Sequence, residues 1–278
     1  MRLIDGKKIS EKLAKELKRE VKKLKKKPKL AVVLVGSDPA SRLYVDLKEK
    51  KCGEVGLDFE KYVLPLSVSE KEVVALVKTL NAEEAVDGII VQLPLPSFMN
   101  PEKIINAIDA RKDVDGFTEK NRKNLLSGKE PVLKPVLPHA FLTALLSEKI
   151  NLRDKKVGAV VNSEIFGRVL KAVFEKNGAK CDYLVKRVCL DKGLDEFLKN
   201  ADIIISMTGC PGMIKGNMLK DGVVALDAGI ARADNKILGD VDLESVKSKA
   251  SLVTPTPGGI GPITVITLLW NVYLASRK

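Results

Sequence analysis

The sequence lacks most of the residues that metal sites and thiol-based catalysts need. Its 278 residues include one histidine, His139, and four cysteines without a Cys-x-x-Cys pair, so a zinc site or a Cys–His nucleophile has poor support and we predict no bound metal. No apolar run is long enough to span a membrane, and the N-terminus lacks the apolar core of a signal peptide. We therefore expect a cytoplasmic protein with no membrane partner, whose cysteines are free thiols.

Aromatic residues are also scarce, at 4% of the chain, although the formal net charge is +12. The charge has three explanations: a nucleic-acid partner, the steering of polyanionic small molecules, or a solvated lysine-rich surface of the kind found in heat-adapted proteins. Basic residues concentrate on helical segments such as residues 22–27, and single-stranded nucleic acids need more aromatic stacking platforms than this chain offers. The pattern favours the solvated surface and no nucleic-acid partner.

Strand-like and helix-like segments alternate along most of the chain. Continuous apolar runs predict buried parallel strands, and amphipathic stretches predict helices between them. The predicted strands are residues 30–35, 59–64, 88–92, 156–161, 181–185, 203–207 and 223–227. Two alternating series, separated by a loop-like segment at 111–138, predict an α/β protein of two domains with parallel sheets and a junction near residue 137.

The second series predicts a Rossmann-like dinucleotide-binding domain, because such sheets bind ligands beyond the carboxyl ends of their strands. The candidate cofactor residues at these ends are Val161, Asn162, Ser163, Lys186, Arg187, Thr208, Gly209 and Ile230. Lys186 and Arg187 follow the second strand, where the adenosine ribose is expected, and a basic pair there favours the 2′-phosphate of NADP; the alternative is two surface cations on a basic chain. The usual Gly-x-Gly-x-x-Gly is missing after the first strand, and only Gly167 fits a need for close packing or backbone approach.

The first series presents polar residues that suit a substrate site. Tyr44 and Lys48 are four residues apart on a predicted helix, so they share one face. A lysine there can handle protons if burial lowers its pKa, whereas the alternative is an exposed pair on a lysine-rich helix. Gln92 ends a buried strand just before a proline-rich stretch, at the sheet edge where ligands bind.

Two loops supply further candidates. The Asp-Val-Asp-Gly stretch at 113–116 has three interpretations: a turn, a carboxylate over the nitrogens of a donor-rich heterocycle, or, with less support, part of a cation site. Residues 254–264 are rich in proline and glycine. Since glycine permits close ligand approach and proline stiffens a loop, we expect this segment to bind a ligand.

Six stretches together carry a family resemblance, and in order they span essentially the whole chain. They are residues 35–41, 44–48, 86–96, 112–117, 239–242 and 254–264. The chain resembles the bifunctional methylenetetrahydrofolate dehydrogenase/methenyltetrahydrofolate cyclohydrolase family. The resemblance implies a homodimer that oxidises 5,10-methylenetetrahydrofolate to 5,10-methenyltetrahydrofolate with NADP and then hydrolyses it to 10-formyltetrahydrofolate. It also implies a folate-binding catalytic domain of residues 1–137 plus 263–278 and an NAD(P)-binding domain of residues 138–262.

The resemblance further implies roles for individual residues. The catalytic and folate-binding residues that it implies are Lys48, Tyr44, Gln92, Asp115, Gly258, Gly259 and Pro262. Lys48 is the implied catalytic lysine, and Gln92 tunes it through a hydrogen bond. Asp115 holds the pterin ring, and Tyr44 stacks on or positions the folate.

The first cofactor loop departs from the family pattern. Asn162 stands where the family usually has the arginine of a Gly-Arg-Ser stretch, which often grips the 2′-phosphate. Lys186, Arg187 and Arg168 could compensate for it. NAD therefore stays possible beside NADP, and the alternative function is a cyclohydrolase with weak dehydrogenase activity or an altered cofactor.

Overall fold

The computed structural model describes residues 1–186, 189, 193–233 and 236–277. The chain divides into two compact units. The first unit comprises Glu11–Val136 and Val265–Lys278, and the second comprises Met1–Ser10 and Leu137–Thr264.

Strands and helices alternate through both units. The strands are β1 Arg2–Leu3, β2 Lys29–Val35, β3 Asp58–Leu64, β4 Gly88–Val91, β5 Lys156–Val161, β6 Lys180–Val185, β7 Ile203–Met207, β8 Val223–Asp227, β9 Ala231–Ala233, β10 Lys236–Leu238 and β11 Ala250–Val253. The helices are α1 Gly6–Val21, α2 Pro39–Val55, α3 Glu70–Ala82, α4 Pro101–Ile105, α5 Glu119–Leu126, α6 Val136–Ser147, α7 Glu164–Lys176, α8 Leu194–Leu198 and α9 Ile260–Ala275, with a short 3-10 turn at Gly216–Met218.

The first unit is built on a three-stranded parallel sheet with the order β3-β2-β4. Alternate residues of the central strand enter two separate cores. Leu30, Val32 and Leu34 pack with side chains of α2 and α9, whereas Ala31 and Val33 pack with side chains of α3. Burial on both faces is the reason that β2 is a continuous apolar run, which made it predictable from the sequence.

The second unit is built on a six-stranded parallel sheet with the order β1-β11-β8-β7-β5-β6, beside an antiparallel pair of β9 and β10. Strands β6 and β7 lie on opposite sides of β5, so the strand order reverses at β5. Such a reversal opens a crevice at the carboxyl edge, where doubly wound sheets bind ligands. The predicted α/β class, with parallel sheets and a Rossmann-like second sheet, is confirmed.

The structure differs from the prediction in its short elements. Helix α5 and the start of α6 lie within the segment 111–138, which is predicted as a loop. Helix α5 buries only Asn121 and Leu125, so its amphipathic signal is weak. The structure also groups Met1–Ser10 with the second unit rather than the first. The cause is β1, which pairs in parallel with β11 through Arg2 and Leu3.

The expectation of free thiols is wrong for two of the four cysteines. Cys189 and Cys210 form a disulfide with a Cα–Cα distance of 5.2 Å. They follow β6 and β7, the two neighbours of β5, and parallel strands end at the same edge of a sheet. Cys52 and Cys181 are free and buried.

Candidate active site

Lys48 lies near the middle of α2, and its environment follows from how that helix is placed. Asp38 caps the start of the helix, since its carboxylate accepts the Ser41 N–H at 2.8 Å, and Gly56 in the left-handed conformation caps its end. The Lys48 side chain is 8% exposed, and its Nζ donates to Gln92 Oε1 at 2.7 Å. A lysine is rarely this buried unless its ammonium is paired, and here the partner is Gln92.

Gln92 is held at the carboxyl edge of the first sheet. It directly follows β4, and its backbone N–H donates to the Val33 carbonyl at 2.8 Å, which extends the ladder by one residue. Its Nε2 donates to the Leu93 carbonyl at 2.5 Å. That bond leaves the amide oxygen for Lys48, so the predicted contact between Gln92 and Lys48 is present in the structure.

Burial lowers the pKa of Lys48 from its ordinary value of 10.5 to about 8, and the negative charge of Asp115 partly opposes the change. Cys52 lies one helical turn further along α2, and burial raises the pKa of its thiol to about 12. The thiol is therefore neutral near pH 7. A lysine with a pKa of about 8 is partly neutral near pH 7 and can accept a proton there.

The two aspartates of the 113–116 stretch have different roles. Asp113 is 1% exposed and accepts hydrogen bonds from the Thr118 N–H at 2.7 Å and Asn121 Nδ2 at 2.8 Å, so its carboxylate shapes the turn. Asp115 is half-buried, and no donor within the described ranges contacts its carboxylate. Burial raises the pKa of Asp115 to about 6, with Asp113 adding to the effect and Lys48 opposing it. A carboxylate that is mostly ionised at pH 7 and lacks a donor suits a ligand with N–H groups.

Two further residues of the first unit belong with these side chains, and the sequence analysis missed both. Ser41 is 3% exposed, and its hydroxyl has no hydrogen-bond partner among the described residues. It precedes Tyr44 by three residues and Lys48 by seven, so all three share one face of α2. Asn271 of α9 donates through Nδ2 to the carbonyls of Val114 and Lys134, both at 2.8 Å, and so holds the backbone beside Asp115. The serine could have been found from the helical spacing; nothing local in the sequence signals the asparagine.

The loop at 254–264 has structural reasons for its glycines. Gly258 has a φ of 102°, a conformation that favours glycine. A Cβ on Gly259 would lie 2.5 Å from the Pro255 carbonyl oxygen, and a Cβ on Gly6 would lie 1.7 Å from the Gly259 carbonyl oxygen. The backbone conformation of Gly258 and tight packing at Gly259 and Gly6 therefore account for these glycines. Folate contact by Gly258, Gly259 and Pro262 stays a prediction.

At the carboxyl edge of the second sheet, β5 ends at the buried Val161 and is followed by the exposed Asn162. Ser163 occupies the N-cap position of α7, but its side chain makes no capping hydrogen bond. Its hydroxyl and the first N–H groups of α7 therefore suit an anionic ligand such as a phosphate. Lys186, half-buried at the end of β6, donates its backbone N–H to the Val161 carbonyl at 2.7 Å. Arg187 lies outside the described residues.

Gly167 serves helix packing rather than ligand approach. A Cβ at this position would lie 2.3 Å from the ring of Tyr183 on β6. The glycine therefore lets α7 lie directly on that ring. The Tyr183 hydroxyl in turn donates to the Glu164 carboxylate at the start of α7, at 2.5 Å.

Two buried aspartates organise the remaining loops of this edge, and the sequence analysis assigned neither of them a role. Asp240 accepts hydrogen bonds from Ser206, Thr208 and Cys210. Asp227 accepts the backbone N–H of Asp240 at 3.1 Å, and burial raises its pKa to about 7. A dinucleotide with phosphate groups fits three features of this edge. They are the Ser163 hydroxyl, which makes no capping hydrogen bond, the lysine after β6, and this ordered loop after β7. Ile230, 44% exposed, lies in the loop after β8.

In the parts of the chain that the structure describes, no group of three histidine, cysteine, aspartate or glutamate residues could hold a metal ion. Within those parts, none of the helices combines the length and the hydropathy that a membrane span requires.

Comparison with known proteins identifies the family. The model of the tetrahydrofolate dehydrogenase/cyclohydrolase catalytic domain matches residues 4–115, and that of the NAD(P)-binding domain of the same family matches residues 135–278. The chain is 42% identical to the bifunctional protein FolD of Hydrogenobaculum, with 100% of this chain and 99% of the relative covered.

Solved structures agree. The bifunctional FolD methylenetetrahydrofolate dehydrogenase/cyclohydrolase of Campylobacter jejuni has a TM-score of 0.94 at 38% identity, covering 100% of this chain and 99% of its own. The Trypanosoma brucei dehydrogenase-cyclohydrolase, solved with NADP and an inhibitor, has a TM-score of 0.93 at 28% identity, covering 99% and 97%. The family predicted from the sequence is confirmed: the chain belongs to the tetrahydrofolate dehydrogenase/cyclohydrolase family.

Proposed function

We propose that the first unit holds the folate and that Lys48 is its catalytic residue. The enzyme is bifunctional: it oxidises 5,10-methylenetetrahydrofolate to 5,10-methenyltetrahydrofolate with NADP, and it hydrolyses that product to 10-formyltetrahydrofolate. The assignment rests on the state of Lys48: its ammonium is buried, it donates a hydrogen bond to Gln92, and burial lowers its pKa to about 8.

In the oxidation, the protein contributes position. NADP, when bound, accepts the hydride that leaves the methylene carbon. Asp115 accepts hydrogen bonds from the N–H groups of the pterin, because its carboxylate has no donor within the described residues and is ionised in about nine of ten molecules at pH 7. Tyr44 lies half-buried one turn before Lys48 and positions the folate on the same helix face.

In the hydrolysis, Lys48 moves the proton. Water adds its oxygen to the methenyl carbon, and the neutral Lys48 amine takes the proton that the water loses. The bond from that carbon to one ring nitrogen then breaks, and the Lys48 ammonium returns the proton to the departing nitrogen. The hydroxyl left on the carbon releases its own proton to solvent as it becomes the formyl carbonyl. Gln92 keeps Nζ in place through both transfers, since its amide oxygen accepts from either form of the amine.

Lys48→Met tests this role, with Lys50→Met as the control. Lys50 is an exposed lysine on the same helix, so its replacement removes an equal charge outside the site. We expect cyclohydrolase turnover to fall by about 10² to 10⁴-fold in Lys48→Met because the general base is lost, while dehydrogenase activity persists at a measurable level. Unchanged cyclohydrolase turnover would remove Lys48 from the mechanism.

For the cofactor, we infer that the second unit contacts NADP through the residues at its carboxyl edge. The residues that we assign are Val161, Asn162, Ser163, Lys186, Thr208, Gly209 and Ile230, with Arg187 assigned from the sequence alone. Lys186 supports a preference for the 2′-phosphate, whereas Asn162 leaves NAD and a weak dehydrogenase as the alternative. Parallel turnover with NADP and NAD, in the wild type and in Lys186→Ala, decides between them. Saturation by neither cofactor would favour the cyclohydrolase alone.

We also propose that the enzyme is a homodimer, on the strength of the family resemblance. Sedimentation equilibrium of the purified protein tests this, and a monomer at micromolar concentration would contradict it. The cytoplasmic location expected from the sequence stays a prediction, which fractionation of source cells checks.

A further inference from the structure

The carboxylate of Asp240 lies beneath the loop that follows β7. It is fully buried and accepts four hydrogen bonds. Its Oδ2 accepts the Ser206 hydroxyl at 2.6 Å, the Thr208 N–H at 2.6 Å and the Thr208 hydroxyl at 2.9 Å. Its Oδ1 accepts the Cys210 N–H at 2.8 Å. Both ends of the loop 208–210 are therefore tied to one side chain.

Asp240 is itself held from two directions. A Cβ on Gly229 would lie 2.0 Å from Asp240 Oδ1, so the loop after β8 presses directly against the carboxylate. Asp227, at the end of β8, accepts the backbone N–H of Asp240 at 3.1 Å and that of Val241 at 2.9 Å. The carboxylate thus has little freedom to move, and its hydrogen bonds restrict the motion of the loop after β7 in turn.

We propose that Asp240 is a positioning residue for the nicotinamide cofactor, because it holds the loop of Thr208 and Gly209 in its binding shape. The inference rests on the proposed assignment of that loop to NADP. A loop ordered in advance binds more tightly than one that must be ordered by the ligand. The Thr208 hydroxyl also gives its proton to Asp240, so toward a ligand it acts as an acceptor.

Asp240→Asn keeps the shape of the side chain and removes one acceptor. Whichever way the amide turns, one backbone N–H of the loop faces an NH₂ group. In one orientation the Thr208 N–H loses its partner, and in the other the Cys210 N–H keeps only its longer bond to Thr208 Oγ1 at 3.2 Å. Asp242→Asn is the control, because it removes the same charge two residues along while an asparagine oxygen can still accept the Ser245 N–H. Should Asp240→Asn fail to fold, Ser206→Ala serves instead, since it removes one donor that anchors the carboxylate.

Isothermal titration with NADP and hydrogen exchange of a peptide spanning residues 206–212 supply the readouts, with cyclohydrolase turnover measured in the absence of nicotinamide. For Asp240→Asn we expect the Kd for NADP to rise about tenfold, which corresponds to the free energy of one lost hydrogen bond. We also expect the peptide to exchange faster than in the wild type before NADP is added. Cyclohydrolase turnover should stay within about twofold, because Lys48 belongs to the first unit. For Ser206→Ala we expect about a threefold rise in Kd.

Three results would overturn the inference, and they differ in what else they overturn. If NADP protects the peptide in the wild type but the Kd and the exchange of the variant match those of Asp242→Asn, Asp240 is not a positioning residue and the cofactor assignment stands. If NADP does not protect the peptide even in the wild type, the loop does not bind cofactor and both proposals fail. Equal loss of NADP binding and cyclohydrolase turnover would show a general folding defect and would also contradict the positioning role.

Discussion

Replacing Gln92 with glutamate changes the charge beside Lys48 while the length of the side chain stays the same. The wild-type amide oxygen lies 2.7 Å from Lys48 Nζ, so Gln92→Glu places a carboxylate within direct contact of the ammonium. An opposite charge at this distance moves a pKa by about 1 to 3 toward the charged form. We expect it to raise the pKa of Lys48 from about 8 to about 10, close to its ordinary value.

The size of the effect on hydrolysis follows from the fraction of neutral lysine. Near pH 7.5, about a quarter of the lysines with a pKa of about 8 are neutral, compared with about three in a thousand at a pKa of about 10. Cyclohydrolase turnover should therefore fall by about 80-fold at this pH. Because the neutral amine is the active form, turnover of the variant should rise about tenfold for each increase of one in pH, until it levels off near pH 10.

The assay follows the loss of methenyltetrahydrofolate absorbance between about pH 6.5 and 9.5, with the uncatalysed rate subtracted. Gln92→Met is the matched control: it removes the hydrogen bond without adding charge, so burial still holds the pKa of Lys48 low and the midpoint of the pH profile should stay near 8. A Gln92→Glu profile with the wild-type midpoint would refute Lys48 as the titrating base, whatever the absolute rate.

Three further predictions concern stability and are measured by urea unfolding. Lys48→Met should be more stable than the wild type by about 2 kcal/mol at pH 7. Below pH 8 the buried amine of the wild type is charged, so the full cost of burying that charge opposes folding. This cost, and with it the gain, should vanish as the pH approaches 10.5, and a gain independent of pH would contradict the reasoning. Reduction of the disulfide between Cys189 and Cys210, 21 residues apart, should lower the unfolding free energy by about 3 kcal/mol, with no response to reductant in Cys210→Ala. Gly167→Ala should destabilise by about 1 to 3 kcal/mol because its Cβ meets the Tyr183 ring, and Tyr183→Leu should relieve part of the loss.

The sheets could be predicted from the sequence because their central strands are buried on both faces. Residues 30–35 are a continuous apolar run, and residues 157–161 contain no polar side chain; they lie in the strands β2 and β5 that the structure shows. Short elements gave no such signal. Strand β1 has two exposed residues, Arg2 and Leu3, and it exists only because β11 lies beside it. A pairing partner about 250 residues away cannot be read from local pattern.

The site was predictable where local geometry decides it. Helical spacing placed Tyr44 and Lys48 on one face, and the carboxyl-edge rule placed Gln92 at a ligand position. The hydrogen bond between Lys48 and Gln92 forms because β4 pairs with β2, the strand that precedes α2 in the chain. That pairing is a property of the fold and not of the local sequence. Ser41 passed unnoticed because a serine near a helix start ordinarily serves as a cap, whereas here Asp38 caps the helix and leaves the serine hydroxyl without a partner in the described chain.

The aspartates show what sequence cannot separate and structure can. Asp113 and Asp115 are two residues apart and chemically identical, yet three donors saturate the first, while the second is half-buried with no donor in the described chain. In the second unit, Asp240 is saturated by four hydrogen bonds and Asp227 by three backbone N–H groups. A carboxylate whose acceptor sites are filled by its own chain can shape a loop but has little left for a ligand. The count of donors around each carboxylate therefore assigns substrate binding to Asp115 and positioning to Asp240, and it identifies Asp115 as the aspartate whose replacement by asparagine should weaken folate binding without loosening the turn.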